Sequence, residues 1–254
     1  MSLPDLAPHL LVFVAAITLF AGFVKGAVGF AMPMIMISGF ASVLAPDLAL
    51  AGLILPTLAT NLAQGLRDGL SAAWTAFAGH WRLNLPIMGM ILLSAQLVVV
   101  LPQPVLLALL GGPVLAFSLL QLFGWQWRIA PARRRIAEVL TGLVAGFFGG
   151  FSGIWSPPVI AYLTALDLPK REHVRVQGMC YLAGSVFLVA AHLRSGVLNG
   201  ATLPVSAALV VPAFLGLWAG RAVQDRLDQQ IFRRATLLFL AIAGANLLRR
   251  ALMG

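Results

Sequence analysis

Charge is scarce in this chain and unevenly placed. Only 10% of its 254 residues are Asp, Glu, Lys or Arg, against the roughly one quarter that covers an ordinary soluble surface, so water is excluded as the solvent for most of it. Residues 83 to 127 carry no charge at all, and the runs 26–46, 48–66, 139–166, 176–193, 195–220 and 235–248 are equally bare. Several reach the roughly 20 residues that a helix needs to cross a bilayer. Cysteine is almost missing too. The single Cys180 excludes a disulfide framework and offers no metal-ligand spacing. The histidines (His9, His80, His173, His192) are scattered, and the carboxylates fall near loops or helix ends. No nucleophile–base pair, metal cluster or carboxylate pair therefore marks a membrane enzyme, and no cofactor or metal is expected.

Before the first apolar run, Met1 to His9 hold no Lys or Arg and no obvious cleavage site, so that run reads as retained rather than as a signal peptide. The net charge of +9 does not point to nucleic acid, because there is no soluble face on which to build a basic groove. The expected partners are the lipid bilayer and a small anionic substrate. The oligomeric state is left open, a homodimer included.

What is present is a repeat. The stretch Ala21-Gly22-Phe23-Val24-Lys25-Gly26-Ala27-Val28-Gly29-Phe30, with Pro33 after it, returns as Thr141-Gly142-Leu143-Val144-Ala145-Gly146-Phe147-Phe148-Gly149-Gly150, with Pro157 after it. Arg67-Asp68-Gly69 is echoed by Arg194-Ser195-Gly196, and Leu85-Pro86 by Leu203-Pro204. One transmembrane domain over residues 1–254 is expected, with repeats of about 8–127 and 133–250. Each begins with an apolar segment that meets a glycine cluster and a proline, then continues for only about ten apolar residues, half the thickness of the hydrocarbon core. Such a piece reads as the return arm of a re-entrant hairpin that breaks near the membrane midplane. Its non-helical backbone has to face protein or a water-filled cavity. Full spans are expected at about 48–66, 84–101 and 104–124, and again at about 174–193, 202–221 and 233–250. The fold class is thus an all-α polytopic membrane protein of two inverted-topology repeats, each a broken-helix hairpin plus three transmembrane helices.

The basic residues orient this map. With the 128–135 connection inside, 13 of the 17 Lys and Arg residues lie on the cytoplasmic side, Arg194, Arg249 and Arg250 lie outside, and Lys25 lies in the membrane, as the positive-inside rule favours. Both termini are then extracytoplasmic, against the vote of the Arg249–Arg250 pair.

Matched helix breaks in inverted repeats point to a midplane transport site. Pro33 and Pro157, read as first helical residues, start half-helices whose early N–H groups and positive dipole ends suit an anion. Gly26, Gly29, Gly149, Gly150 and Gly153 either let the backbone approach that ligand or let helices pack closely. Lys25 is an intramembrane cation without a nearby carboxylate, a functional candidate unless it snorkels to an interface. Thr57, Asn61 and Gln64 share one helix face, as do Gln177, Tyr181 and Ser185. Their uncharged groups can orient oxyanion oxygens or glue helices together. Ser152 and Ser156 can add hydroxyls or cap the half-helix. Phe30 and Trp155 shape the pocket or fill space.

The run Gly146-Phe147-Phe148-Gly149-Gly150-Phe151-Ser152-Gly153-Ile154-Trp155-Ser156-Pro157-Pro158 and the following Leu168-Pro169-Lys170-Arg171-Glu172 resemble the TauE/SafE sulfite exporter family, also called the 4-toluene sulfonate uptake permease family. The resemblance covers nearly the whole chain. It implies a multi-pass transporter of the bacterial inner membrane for sulfite, sulfonates or related organic anions. Trp155 and Ser156 stand where that family often has glycines, and Ala31-Met32 replaces a glycine pair. The expected function is export of a small sulfur-containing oxyanion, sulfite or an organosulfonate such as sulfoacetate, by alternating access. An anion-selective channel, or a carrier of a non-sulfur carboxylate, is the alternative. No carboxylate relay for proton coupling is visible, and passive export does not require one. With the interior negative by about 100 mV, each negative charge leaving gains roughly 2.3 kcal/mol.

Overall fold

The computed structural model describes residues 7–124, 129–226 and 228–253. Arg128 of the basic connection and the expected end of the first repeat at residue 127 lie outside them. Every regular element among the described residues is helical. The first half runs α1 (Pro8–Val28), α2 (Met32–Phe40), α3 (Pro46–Gly65), α4 (Leu70–Gly79), α5 (Trp81–Ser94), α6 (Leu97–Val100) and α7 (Gln103–Leu122). The second runs α8 (Arg134–Ser152), α9 (Ser156–Ala165), α10 (Lys170–Ser195), α11 (Leu203–Ala208), α12 (Val210–Val223) and α13 (Gln229–Met253).

Seven segments among the described residues are long and apolar enough to cross a membrane: Pro8–Val28, Pro46–Gly65, Trp81–Val100, Gln103–Leu122, Arg171–Ser195, Leu203–Val223 and Gln230–Met253. Large apolar side chains such as Val12, Leu93, Val100, Leu215, Trp218 and Ile242 stand exposed on them, as a surface in contact with lipid tails requires. The chain is an integral multi-pass membrane protein. Between the third and fifth elements, the stretch expected as a loop at 67–82 holds α4, whose Leu70 and Trp74 are exposed and whose Trp74 ring stacks on Phe77 at 5.7 Å. Those features suit a helix lying in the membrane interface. Its few turns and lack of charge hid it in the sequence.

Both hairpins form, and their turns fall where the glycines sit. Gly29 closes α1 with φ 84° and Gly153 closes α8 with φ 72°, left-handed conformations that glycine adopts without strain. The return arms α2 and α9 have 9 and 10 residues. The first arms have 21 and 19 residues, about 31 and 29 Å at 1.5 Å per residue, and α1 is by itself long and apolar enough to cross a membrane. One expectation shifts: Pro33 and Pro157 are second, not first, helical residues.

The other glycines hold helices together. On α1, Gly22 and Gly26 lie against the backbone of Ala213 and Leu217, while Gly216 and Gly220 of α12 lie against Leu19 and Phe23. A Cβ at any of these would strike a carbonyl. Gly142, Gly146 and Gly150 pack α8 onto Leu83, Ile87 and Ile91 of α5 in the same manner. Of the glycines read above as serving either ligand approach or close packing, Gly26 and Gly150 are taken up by helix contact, and Gly149 carries the Trp155 ring. The pairing is reciprocal: α1 on α12, α8 on α5, α3 on α10 and α7 on α13.

Polar groups repair several interruptions of the backbone ladder, because lipid supplies no partners. Pro56 inside α3 removes a donor and frees the Gly52 carbonyl. Ser206 of α11 answers it, with its hydroxyl donating to Gly52 O at 3.4 Å and accepting Leu55 N–H at 3.2 Å. The Arg250 guanidinium donates to the Ala41 carbonyl at the C-terminal end of α2. A cation belongs at that negative helix end, which gives this arginine a structural role. In the second hairpin, buried Glu138 of α8 accepts the Tyr162 hydroxyl of α9 at 2.9 Å. His192 bridges Gly150 O at 2.7 Å and Ser195 Oγ at 3.0 Å, so both ring nitrogens serve the helix packing.

Replacing Ser206 by Ala leaves the Leu55 amide and the Gly52 carbonyl short of a partner, at a cost of about 1–2 kcal/mol. A lowered melting temperature in detergent is the expected outcome, with helix content unchanged by circular dichroism.

Candidate functional site

The tips of the two hairpins meet. Phe30, Ala31 and Pro33 from the first, and Gly153, Trp155 and Ser156 from the second, line one small pocket together with Lys25 of α1, Asn61 of α3 and Tyr181 of α10. Its free volume is about 10 Å³, the space of one water molecule.

Lys25 is 2% exposed, so it does not snorkel. Its ammonium donates to Thr60 Oγ1 at 2.9 Å and to Asn61 Oδ1. Asn61 passes the connection on, its amide donating to Tyr181 O at 3.1 Å. Gln64 and Gln177, from α3 and α10, both donate to the Gly29 carbonyl, at 3.3 and 3.1 Å. The two helices thus hold the first tip between them. Among the described residues no carboxylate lines the pocket, and the charge that acts on Lys25 is another cation, Arg221.

Two residues that line the pocket carry donors without a partner. The Tyr181 hydroxyl and the Trp155 indole N–H are both buried and unbonded, with Ser156 and Gln177 as the polar neighbours of the Tyr181 hydroxyl. Leaving such groups dry costs free energy, so a wall that does so has a reason. An ammonium, a phenol and an indole N–H are all donors, and an oxyanion accepts from each.

The half-helices contribute less than two free N-termini would. Pro157 and Pro158 are the second and third residues of α9 and carry no N–H. Only the Ser156 and Val159 amides remain in its first turn. In α2, Pro33 likewise removes one donor and leaves the Met32 and Met34 amides. The dipole ends still face the pocket, but side chains supply most of the donors. Ala31 has φ 76°, an unusual value for a residue with a Cβ, at the place where a glycine pair was noted as replaced.

Of the residues singled out in the sequence, Lys25, Phe30, Pro33, Asn61, Trp155, Ser156 and Tyr181 therefore come together, while Gly29, Gln64 and Gln177 support the tip. The others point elsewhere. Thr57 is buried with its hydroxyl unbonded and off the pocket. Ser185 bonds back to Leu182 O at 2.9 Å. Ser152 donates to Phe148 O and accepts Ile154 N–H at 3.0 Å, closing the α8 turn. Pro157 is buried in α9 and is not on the pocket wall. Thr60 was missed. It lies on the face that Thr57, Asn61 and Gln64 share, three residues after Thr57 and four before Gln64, and its bond to Lys25 shows its place.

Beside this pocket opens a vestibule of about 870 Å³. Lys25 and Gly29 form part of its floor, and its walls carry Gln64, Arg67, His173, Gln177, Arg221 and Arg233. No Asp or Glu lines it among the described residues.

Helices enough for seven crossings, two interrupted hairpins and a cationic interior pocket with an aqueous approach define a polytopic membrane protein built around an internal polar site. The family model described as "Sulfite exporter TauE/SafE" matches residues 14–247, and the chain belongs to this family of membrane transporters. Comparison with curated proteins and with solved structures gave no match.

Because the Tyr181 hydroxyl has no partner to lose, Tyr181→Phe is expected to leave the melting temperature unchanged or slightly raised. In the same protein, the upward shift produced by a bound oxyanion should shrink, as followed by thermal unfolding with and without millimolar sulfite.

Proposed function

We propose that this protein carries a small sulfur-containing oxyanion, sulfite or an organosulfonate such as sulfoacetate, out of the cell by alternating access around the Lys25 pocket. The observation that carries the reading is the meeting, between the tips of both hairpins, of a carboxylate-free lysine with Tyr181 and Trp155, two residues whose buried donors have no hydrogen-bond partner. Membership of the TauE/SafE family supports the substrate class.

About 10 Å³ is too little for an oxyanion, so binding requires the tips to part. Lys25 then exchanges Thr60 and Asn61 for substrate oxygens, charge-assisted bonds that are stronger than neutral ones. The reciprocal packing of α1 on α12 and α8 on α5 supports two inverted halves that can rock against one another. The vestibule opens among Arg67, Arg221 and Arg233, on the side where the basic residues cluster. The positive-inside rule makes that side cytoplasmic, in the bacterial inner membrane. A resting potential then drives a loaded anion outward without a coupling ion.

Sealed proteoliposomes loaded with radiolabelled sulfite test this. Saturable efflux, acceleration by unlabelled sulfite on the opposite side, and near-complete loss in Lys25→Met are the expected results. Conductance far above carrier turnover would instead indicate a channel, and efflux by Lys25→Met equal to the wild type would remove the pocket from the mechanism.

A further inference from the structure

The vestibule holds more positive charge than the inner pocket needs. Arg67 follows α3, Arg221 ends α12 and Arg233 begins α13, and all three line the same space as Lys25. Arg233 is occupied, donating to Gln121 Oε1 at 2.6 Å. Arg67 and Arg221 are in a different position. Two ion pairs occur among the described residues, Arg134–Glu138 and Arg175–Asp68, and neither arginine belongs to them. Asp68, the carboxylate next to Arg67 in sequence, is engaged by Arg175 at 3.1 Å and does not line the vestibule.

The two guanidinium groups are near enough to act electrically on each other, and Arg221 acts in turn on Lys25. Like charges placed so repel, and the repulsion is least screened where the cavity wall is apolar. The backbone at Arg221 is also held by packing. Gly220 lies against Phe23 and Ala27 of α1, and the Arg221 amide stands 2.9 Å from where a Cβ on Gly26 would be. Arg221 and Lys25 therefore ride on one tightly packed pair of helices, one at the vestibule wall and one at its floor.

We propose that Arg67 and Arg221 form a second anion subsite in the vestibule, which captures one oxyanion group, a sulfite, sulfonate or carboxylate, before it reaches Lys25. The proposal rests on the transport reading above and adds a step to it. A guanidinium fork takes two oxygens of such a group at once. An anion held there relieves the repulsion between the two arginines, and passing it inward exchanges their charges for that of Lys25. The subsite raises the local anion concentration at the pocket, an effect that salt screens. Inner pocket and outer subsite thus divide the work, the first conferring translocation and the second loading.

The test measures initial efflux against sulfite concentration in proteoliposomes, at low and high ionic strength, for wild type, Arg67→Gln, Arg221→Gln and Arg221→Lys. Each Gln variant is expected to raise the half-saturating concentration about tenfold, the loss of one charge-assisted contact, with the maximal rate nearly unchanged and the salt dependence reduced. Arg221→Lys, which keeps the charge and loses the fork, should fall between. Unchanged half-saturation and unchanged salt dependence in both Gln variants would overturn the subsite. Should Arg221→Gln not fold, Arg67→Gln decides alone, since Arg67 is exposed at the end of its helix. A wild type that moves no oxyanion, or a Lys25→Met variant that moves it normally, sinks the transport reading and the subsite with it. Efflux that needs Lys25 but is indifferent to both arginines sinks the subsite only.

Discussion

An ammonium group buried in a protein without a carboxylate beside it is costly to keep charged, and the surroundings of Lys25 are arranged around that cost. Thr60 and Asn61 offer it oxygen atoms but no negative charge. The proline kink at Pro56, repaired by Ser206, lies one turn before Thr60, whose hydroxyl also donates back to Pro56 O at 2.8 Å. Asn61 is fixed by α10 through Tyr181 O, and α10 with α3 holds the hairpin tip through two glutamines on one carbonyl. The hairpins, the two central helices and the outer pairs are therefore a single apparatus that places one cation at the junction of two helix breaks.

Rigid and adjustable parts are separable by their contacts. The glycine-mediated pairs α1 with α12 and α8 with α5 bring backbones within contact distance, where any added side chain would strike a carbonyl. Such close contacts leave the two helices of a pair little room to separate. The first tip is held through its Gly29 carbonyl, which accepts from Gln64 and Gln177, and the pocket between the two tips is closed to the size of a water molecule. A substrate that bonds Lys25, Tyr181 and Trp155 replaces partners already present or satisfies donors that have none. Binding energy can thus be spent on parting the tips, which is what coupling of binding to conformational change requires.

Much of this was legible in the sequence, and the boundary is physical. Bare apolar runs located the spans closely: 48–66 was expected where α3 runs Pro46–Gly65, and 104–124 where α7 runs Gln103–Leu122. The glycine and proline pattern placed both hairpin turns, and the isolation of Lys25 marked it as the interior cation. What stayed hidden depends on which way a helix faces. Gly26 and Gly29 look alike in a sequence, yet one packs against α12 and the other turns the chain. Thr57 and Thr60 differ by less than a turn, and only the second meets Lys25. The weak N-terminus of α9 could have been read, since Pro157-Pro158 removes two donors by covalent structure alone. Arg67 and Arg221 were read only as topology signals, because sequence separation hides that α3 and α12 open onto one vestibule.

The central claim is that the Lys25 pocket holds an oxyanion. Selenite has the charge and shape of sulfite and carries an atom with a strong anomalous signal, so crystals grown with it locate the anion directly. A selenium peak within hydrogen-bond reach of Lys25 Nζ, Tyr181 Oη and Trp155 Nε1, with the tips parted, is the predicted result. A protein that transports selenite but shows its peak away from Lys25 would contradict the account.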